Sequence, residues 1–568
     1  MTDMRRTLLW VVFVMSLVLL YDGWNKHNGH PTLFGAPIAT PAELAGASAS
    51  GVPAPAGSAP GSVPAATGTA AAVPGTEAAP AAAPSEKLTV QTDLMKVTLD
   101  TLGATVSGLE LSAYPDAIDP SHPVVLFDQS AKRHYLAQTG IINATAGGAL
   151  LPRHLSPFAV QPGERTLKDG ANELVVRFES PEIGGAKLVK TYTFHRGSYT
   201  IGVKHELTNL SAAPITPQIY LQLLRDGNPP EGQSTSMFSS TGFTYTGPAI
   251  YTEAKKFQKV EFKDIDKHGA GDPPLHEKSA NDGWVAMIQH YFVSAWLLPG
   301  NAPRDFVTAK VGGDYTVAMV QPLGELAPGA TVTHQATLLA GPQDENKLAE
   351  LAPGLDLVKD YGRVKILAQP LFWLLNHLHS LLGNWGWSII ALVVLLKIAF
   401  YWLNASAYKS QAKMKAVNPR IMEMRERLKD KPQEMQQEMM RIYREEKINP
   451  LGGCLPIVVQ MPFFIALYWV LLASVELRGA PWLGWITDLS AKDPLFILPA
   501  LMTASSMLQV ALGPKAPDPV QAKMMWLMPL MFSFMFFFFP SGLVLYWLVN
   551  NLLSIAQQWF INRRLGVN

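Results

Sequence analysis

The 568-residue chain has 16% charged residues, 48% hydrophobic residues and a formal net charge of +1 at pH 7. Average soluble domains carry about 25% charged residues, and here the apolar excess follows residue 364, which favours a membrane protein. The near-zero net charge gives no reason to expect direct DNA binding. A single cysteine, Cys454, excludes a disulfide framework, and no phosphate-loop or HExxH zinc motif occurs. We expect no cofactor, no metal site and no catalytic residue.

The N-terminus has the charged and apolar regions of a signal peptide. Arg5 and Arg6 precede a mostly apolar stretch, but residues 21–26 offer no small-residue cleavage site. We predict an uncleaved signal-anchor helix over residues 1–24, with a cleaved signal peptide as the alternative. Residues 25–86 are rich in Ala, Pro, Gly and Ser, which cannot form a packed core, so they predict a disordered tether.

Residues 87–345 consist of short alternating stretches separated by Gly and Pro, which predict a large all-β domain. Residues 192–194 and 201–207 flank Arg196-Gly197-Ser198, the pattern of a β-hairpin. Helical stretches between the strands are scarce, so an antiparallel sandwich is favoured over parallel βαβ units. Most of the 13 histidines fall here, but their spacings match no metal template, and we predict a binding or spacing role.

Five apolar segments near the C-terminus each approach the roughly 20 residues that cross a bilayer. They are residues 385–403, 455–473, 495–512, 524–539 and 543–560. The preceding residues, 346–384, form a linker and a segment of mixed polar and aromatic character, which predicts an amphipathic helix in the membrane interface. The sequence therefore predicts an α-helical membrane domain with six transmembrane helices, counting the signal anchor.

The distribution of Lys and Arg predicts the orientation of these helices. Arg5 and Arg6 place the N-terminus in the cytoplasm, and six crossings return the tail, residues 563–568, to the same side. The β domain is then exported, and the loop 404–449, which is rich in Lys and Arg, is cytoplasmic.

The cytoplasmic loop alternates cations and anions, and Asp430-Lys431-Pro432 predicts a break between two helices. Apolar residues recur every three or four positions, so each helix has one apolar face. These faces either pack together in a solvated hairpin or act as a mobile dock for a nascent chain, and the two interpretations are compatible. The candidate residues of this hairpin are Met414, Ile421, Met424, Arg425, Met439 and Arg441.

Lys397 is the one clear charge in the middle of these apolar segments. A charge at the bilayer centre costs roughly 2.5–3.5 kcal/mol, which makes it a functional candidate. Its side chain either snorkels to the cytoplasmic interface, about 9 Å away along the helix, or faces a water-accessible groove. Polar residues on the other segments either join helices or line the same groove. The candidate groove residues are Lys397, Asn404, Gln460, Ser505, Ser506, Gln509, Ser533, Tyr546, Trp547 and Asn550.

Four segments carry a family resemblance. Residues 449–463 (NPLGGCLPIVVQMPF), 539–547 (FPSGLVLYW), 488–494 (DLSAKDP) and 283–292 (GWVAMIQHYF) resemble the YidC membrane protein insertases of Gram-negative bacteria, within the YidC/Oxa/Alb family. The resemblance implies a periplasmic β-supersandwich and a five-helix conserved core around a hydrophilic groove, open to cytoplasm and lipid but closed toward the periplasm. The family's groove cation is usually Arg, whereas Lys397 lacks the planar guanidinium fork. Trp547 stands where relatives often have Tyr.

The resemblance also implies a function and partners. The chain is expected to insert and fold integral inner-membrane proteins, alone or with the Sec translocon, in a multi-pass arrangement in the bacterial inner membrane. Expected partners are nascent membrane proteins, the lipid bilayer, the Sec translocon, the ribosome and the signal recognition particle receptor. From other classes, the alternatives are a membrane-anchored periplasmic sugar-binding module or enzyme, and a proton-coupled transporter, for which no partner carboxylate of Lys397 is evident.

Overall fold

The computed structural model describes residues 85–116, 118–145, 148–230, 244–269, 271–428, 431–446, 455–513 and 519–564, all of which belong to one compact unit. The predicted signal-anchor helix and nearly all of the predicted tether lie outside the described residues. So do residues 449–454 of the family motif and residues 565–568 of the tail.

Strands dominate the described residues from Lys87 to Pro342. They are β1 Lys87–Gln91, β2 Met95–Asp100, β3 Thr105–Pro115, β4 Pro123–Gln129, β5 His134–Asn143, β6 Ala159–Val160, β7 Glu173–Glu179, β8 Ala186–His195, β9 Thr200–Asn209, β10 Pro217–Asp226, β11 Gly247–Thr252, β12 Lys256–Lys259, β13 Ser279–Ala280, β14 Trp284–Gln289, β15 Phe292–Leu297, β16 Arg304–Val311, β17 Asp314–Pro322 and β18 Thr331–Pro342. One short helix, α1 Phe262–Lys267, interrupts them.

These strands form two nine-stranded sheets. The first has the order β1-β2-β3-β4-β5-β10-β17-β16-β13, and the second has the order β12-β11-β14-β15-β18-β9-β8-β7-β6. Every ladder within the two sheets, as far as the described strands extend, is antiparallel. The large two-sheet β domain expected from the sequence is confirmed.

The predicted hairpin is formed by β8 and β9, which pair along their whole length from Ala186↔Asn209 to Phe194↔Ile201. Alternate residues of both strands are buried, as expected for strands with one face on a core. Gly197 in the turn has φ +69°, a left-handed conformation that glycine adopts without a Cβ clash.

Polar side chains cross between the sheets inside the apolar core. The indole N–H of the fully buried Trp296 on β15 donates to the carbonyl of Gln222 on β10 at 3.0 Å. Lys190 on β8 is also fully buried, and its ammonium donates to the carbonyls of Gly103 and Thr139 at 2.6 and 2.8 Å. Burial lowers the pKa of Lys190 to about 7. These bonds offset part of the cost of removing polar groups from water.

Helices follow the β domain. They are α2 Glu345–Leu351, α3 Lys365–Leu382, α4 Trp385–Ala399, α5 Tyr401–Arg427, α6 Pro432–Glu445, α7 Leu455–Ala473, α8 Ile497–Leu512, α9 Pro519–Phe536 and α10 Ser541–Arg564, with short 3-10 turns at Leu355–Val358, Gly362–Val364 and Val475–Leu477. Helix α10 packs against α4, α5, α7 and α8, while α3 packs against α4 and α7. A separate apolar core, which includes Ile389, Val470 and Val544, joins α4, α7 and α10.

The first apolar segment differs from the prediction. Residues 385–403 were expected as one helix, but α4 ends at Ala399 and α5 begins at Tyr401 with a bend of 69°. Neither Gly nor Pro marks the bend, which falls at Phe400, whose ring packs edge-on against Phe463 at 5.0 Å. Among the described helices, no single one is long and apolar enough to cross a bilayer, whereas the bent pair α4–α5 passes that test together.

Other helix ends also have local causes. Helix α4 begins where the Asn384 side chain accepts a hydrogen bond from the Trp387 amide at 3.1 Å. Helix α8 begins at Ile497 rather than at the predicted residue 495, because Phe496 has a left-handed φ of +55°. The buried carboxylate of Asp493 accepts from the Leu498 amide in the first turn at 2.6 Å. Helices α9 and α10 extend beyond the apolar segments 524–539 and 543–560 into polar sequence.

Candidate functional site

Lys397 lies on α4 with its side chain directed at α10. The half-buried ammonium donates to the hydroxyl of Ser554 at 2.7 Å. That hydroxyl donates its own proton to the carbonyl of Asn550 at 2.7 Å, so its oxygen is oriented to accept from the cation. No carboxylate in the described part of the chain forms an ion pair with Lys397. The side chain of Lys397 is thus directed at another helix of the helical domain.

A second polar contact joins α8 and α10. The amide of Asn551 donates to the hydroxyls of Ser506 and Ser505 at 2.9 and 3.3 Å. Ser505 is buried and donates to the carbonyl of Met502 on its own helix at 2.7 Å. Helix α10 therefore presents polar side chains toward α4 and toward α8 at neighbouring turns. Asn551 and Ser554 belong to the polar residues in the middle of the last apolar segment, which the sequence associates with a water-accessible cavity, although the ten candidate groove residues include only their neighbour Asn550.

The remaining polar candidates are placed differently. Asn404 on α5 is buried, and its amide nitrogen has no hydrogen-bond partner among the described atoms. Gln460 on α7 and Gln509 on α8 are half-buried. Ser533 is buried but donates to the carbonyl of Pro529 on its own helix at 2.6 Å. Its hydroxyl therefore satisfies the local backbone and does not join two helices.

The two aromatic candidates pack against other rings. The Trp547 ring lies 4.3 Å from the centroids of both Phe464 and Phe536. Tyr546 is buried, with its ring centroid 5.9 Å from that of Phe464. Both residues thus belong to the apolar core of the helical domain, and they stabilise the approach of α10 to α7 and α9.

In the loop predicted to be cytoplasmic, α5 and α6 form a hairpin whose apolar faces meet. Ile421, Met424 and Ile442 are buried together, and Met439 packs against them. Met414 and Arg425 are half-buried on α5. Ion pairs from Arg420 on α5 to Glu445 and Glu446 cross the outside of this seam. Arg441 pairs with Glu438 and Glu445 along α6 itself. The predicted apolar faces largely cover each other.

Two methionines that are not among the candidate residues stay exposed on the hairpin. Met422 on α5 has 51% and Met440 on α6 has 46% of its surface accessible. Methionine is flexible and polarisable, and it suits surfaces that accept varied apolar partners. The free apolar surface of the hairpin is therefore displaced from the predicted one.

A loop between α7 and α8 meets the turn that precedes α10. The amides of Ser541 and Gly542 donate to the carbonyls of Ala491 and Leu489 at 2.7 and 2.8 Å. Asp493, besides capping α8, accepts from the indole N–H of Trp485 at 3.0 Å. These contacts hold the loop against the N-terminal ends of both α8 and α10.

Similarity to known proteins covers nearly the whole chain. Residues 87–374 match the family model of the YidC periplasmic domain, and residues 377–567 match that of the 60Kd inner membrane protein. The membrane protein insertase YidC of Cupriavidus necator is 53% identical over 99% of this chain and 98% of its own length. The membrane protein insertase YidC of Ralstonia nicotianae is 51% identical over 100% of this chain and 99% of its own length. A crystal structure of an active YidC insertase with its first transmembrane domain resolved covers 83% of this chain and 91% of its own, with 17% identity and a TM-score of 0.38.

The matches include the helical region as well as the β domain, so the helices are more than an anchor for a periplasmic enzyme or sugar-binding module. The β domain is periplasmic and the helical domain lies in the inner membrane. With both family models matched and relatives more than half identical over their full length, the chain belongs to the YidC family of membrane protein insertases.

Proposed function

We propose that the chain inserts nascent membrane proteins into the inner membrane through a hydrophilic groove formed by α4, α8 and α10. The observation that carries the proposal is the hydrogen bond from Lys397 to Ser554, which holds a cation among the apolar helices without a carboxylate partner in the described residues. A cation held in this way is available to a segment that enters from outside the protein.

The proposed arrangement in the membrane has six helices, with both termini in the cytoplasm and the groove closed toward the periplasm. Arg563 and Arg564 at the end of α10 support a cytoplasmic C-terminus. The tied loop between α7 and α8 supports closure at the opposite end, because its carbonyls hold Ser541 and Gly542. The bent pair α4–α5 supplies one of the crossings and leads directly into the cytoplasmic hairpin.

Insertion by such a groove follows from hydration and burial. A polar tail that crosses the membrane loses its water, and hydrogen bonds from Lys397, Gln460, Asn551 and the serine hydroxyls replace part of that hydration. The apolar span of the substrate leaves water for lipid, which contributes about 25 cal/mol per Å² buried. Substrate burial therefore provides the free energy, and the groove lowers the barrier.

We propose further that the groove cation attracts acidic residues in the translocated tail, and that the hairpin receives the incoming chain. The exposed Met422 and Met440 provide an apolar surface for that contact. The Sec translocon, the ribosome and the signal recognition particle receptor are the proposed partners on the cytoplasmic side and in the membrane, with the hairpin and Arg563-Arg564 as contact sites.

The test places the purified chain in liposomes and follows a small single-span substrate by protease protection without ATP. Protection above that in empty liposomes is expected. A matched pair of substrates, with acidic and neutral tails, then tests the cation: Lys397→Ala should slow the acidic-tailed substrate more than the neutral one. No protection with well-folded protein would contradict autonomous insertion, and equal slowing of both substrates would contradict the electrostatic role.

A further inference from the structure

One exposed face continues from α4 across the bend into α5. Its members follow one another at steps of three or four residues, the spacing that brings side chains to one side of a helix. They are Val394, Ile398, Trp402, Ser406, Lys409 and Lys413, all of which are exposed. On α5 the other side of the helix is buried, for example at Leu403 and Ala407, and the helix packs against α10 and α7. The exposed face is therefore directed away from the rest of the helical domain.

The chemistry of this face changes in one direction along the chain. Val394 and Ile398 on α4 are apolar, and Ile398 exposes 66% of its surface. Trp402, with 73% of its surface exposed, follows just beyond the bend, and Lys409 and Lys413 come next. The hydrocarbon, interface and headgroup layers of a membrane leaflet favour apolar, aromatic and cationic side chains in the same order. The face thus matches the depth profile of one leaflet.

The first half of α5 carries cations without acids. Between Tyr401 and Met422 the sequence has four Lys and Arg residues and no Asp or Glu. In the described part of the chain, the ion pairs of α5 begin only at Arg420. Lys409 and Lys413 lie four residues apart on the exposed face, where like charges repel each other. A bound anion would offset this repulsion.

The bend keeps both lysines near the level at which the apolar part of the face ends. Helix α4 has 15 residues, so it is about 22 Å long, whereas the hydrocarbon core of a bilayer is roughly 30 Å thick. Because α5 leaves α4 at an angle of 69°, Lys409 and Lys413 advance only about 4 and 6 Å beyond the bend in the direction of α4, instead of about 12 and 18 Å in a straight helix. With α4 upright in the membrane, both ammonium groups reach the headgroup level.

We propose that Lys409 and Lys413 bind the phosphate groups of anionic phospholipids in the cytoplasmic leaflet, with Trp402 inserted beside them in the interface. These three residues form the lipid face of α5. Bound lipids hold the first half of α5 along the membrane surface, so the hairpin lies beside the bilayer instead of projecting from it. The assignment to the cytoplasmic leaflet rests on the proposed topology, whereas the binding itself requires only an anionic leaflet.

Ser406 lies on the lipid face between Trp402 and Lys409 and is the reporter position. Ser406→Cys in a Cys454→Ala background carries a bimane, and the full chain is reconstituted in liposomes of phosphatidylcholine and phosphatidylglycerol. Quenching is measured with spin-labelled forms of each lipid that carry the nitroxide at the same acyl position near the headgroup. In low salt we expect phosphatidylglycerol to quench about fivefold more strongly, the preference that one lysine near an anionic surface confers. High salt should reduce this preference by screening.

The double variant Lys409→Gln/Lys413→Gln should be quenched equally by the two lipids, because it keeps the helix but loses both charges. Lys409→Arg/Lys413→Arg retains the charges and should retain the preference. The matched control is Lys431→Gln/Arg444→Gln, which removes two exposed cations from the other side of the hairpin and should leave the preference unchanged. The bimane signal does not depend on insertion, so a failure of the proposed function leaves this test intact.

Three results would overturn the proposal. Equal quenching by the two lipids in the parent would show that no anionic lipid is selected, and a preference that survives in Lys409→Gln/Lys413→Gln would show that these lysines do not select it. Absence of quenching by both lipids would place α5 away from the membrane. If, in that case, the double variant also bound ribosomes more weakly, the two lysines would instead be assigned to the phosphates of RNA.

Discussion

Acidification should destabilise the β domain through His334, whose ring is largely buried near the cation of Arg304. Its Nε2–H donates to Gln321 at 3.1 Å, which leaves Nδ1 as a lone pair without a partner among the described atoms. The ring of His205 lies 6.3 Å away, and Arg304 places a positive charge nearby. Burial, together with Arg304, lowers the pKa of His334 to about 4. A proton on Nδ1 would therefore be buried without an acceptor.

The direction of this change in stability with pH follows from proton linkage. The unfolded chain, with an ordinary histidine pKa of about 6.5, binds the proton before the folded chain does, so stability falls as the pH drops below that value. With a folded pKa near 4, the change from pH 7 to pH 5 removes about 2 kcal/mol of unfolding free energy at this one site. His154 has a similarly lowered pKa, for the same main reason of burial, and adds to the effect.

The assay is urea unfolding of the full chain, followed by tryptophan fluorescence at pH 7 and pH 5. His334→Gln keeps a donor for Gln321 but cannot be protonated. Between the two pH values its free energy of unfolding should therefore fall by about 2 kcal/mol less than that of the parent. His195→Gln, at an exposed strand end, is the control and should behave as the parent. If His334→Gln and the parent lose the same free energy, the argument from the buried lone pair is refuted.

Trp296→Ala should lower the unfolding free energy of the β domain by about 3–5 kcal/mol, since it leaves a cavity between the sheets. Urea unfolding followed by circular dichroism measures this loss, and a change below 1 kcal/mol would contradict the assigned packing. Ser554→Val and Ser554→Thr have side chains of similar shape, but only the valine variant removes the acceptor for Lys397, so Ser554→Val should slow insertion of an acidic-tailed substrate while Ser554→Thr should not. Equal rates in liposomes would refute the role of this hydrogen bond. Replacing both Met422 and Met440 by Ser should leave the hairpin helical by circular dichroism but reduce photo-crosslinking of a nascent chain to it. Undiminished crosslinking would exclude this surface as the dock.

In the β domain, local patterns in the sequence predict individual hairpins. The pairing of strands that are distant along the chain cannot be predicted from such patterns. Alternation of apolar residues and the turn at Gly197 predict the β8–β9 hairpin because both signals lie within 20 residues. The pairing of β5 with β10 joins strands that are separated by a long stretch of chain, and no local pattern encodes it. The buried Lys190 was not predicted either, because its acceptors are backbone carbonyls, which every residue carries.

In the helical domain, the polar residues were visible but their partners were not. Lys397 stands out in an apolar segment, yet its contact with Ser554 depends on how α10 is rotated relative to α4. Ser533 and Ser505 give the same composition signal and both donate to their own helix, but Ser505 also accepts from Asn551 on α10. The bend at Phe400 has no breaker residue, so no local pattern in the sequence marks it. Site residues on helices can thus be proposed from sequence, whereas their contacts require the fold.

The placement of Asn551 and Ser554 three residues apart on α10 has a consequence for selectivity. One offers a hydrogen-bond donor toward α8 and the other an acceptor toward α4, within about 4.5 Å along one helix. A substrate segment that enters between these helices breaks the hydrogen bonds of Asn551 and Ser554. To replace them, it must supply both an acceptor and a donor at that spacing. An extended peptide backbone does so with its own C=O and N–H groups, whatever its side chains, whereas a formed helix has already used them internally. We therefore expect the proposed groove to favour chain that is still unfolded over chain that has already formed a transmembrane helix.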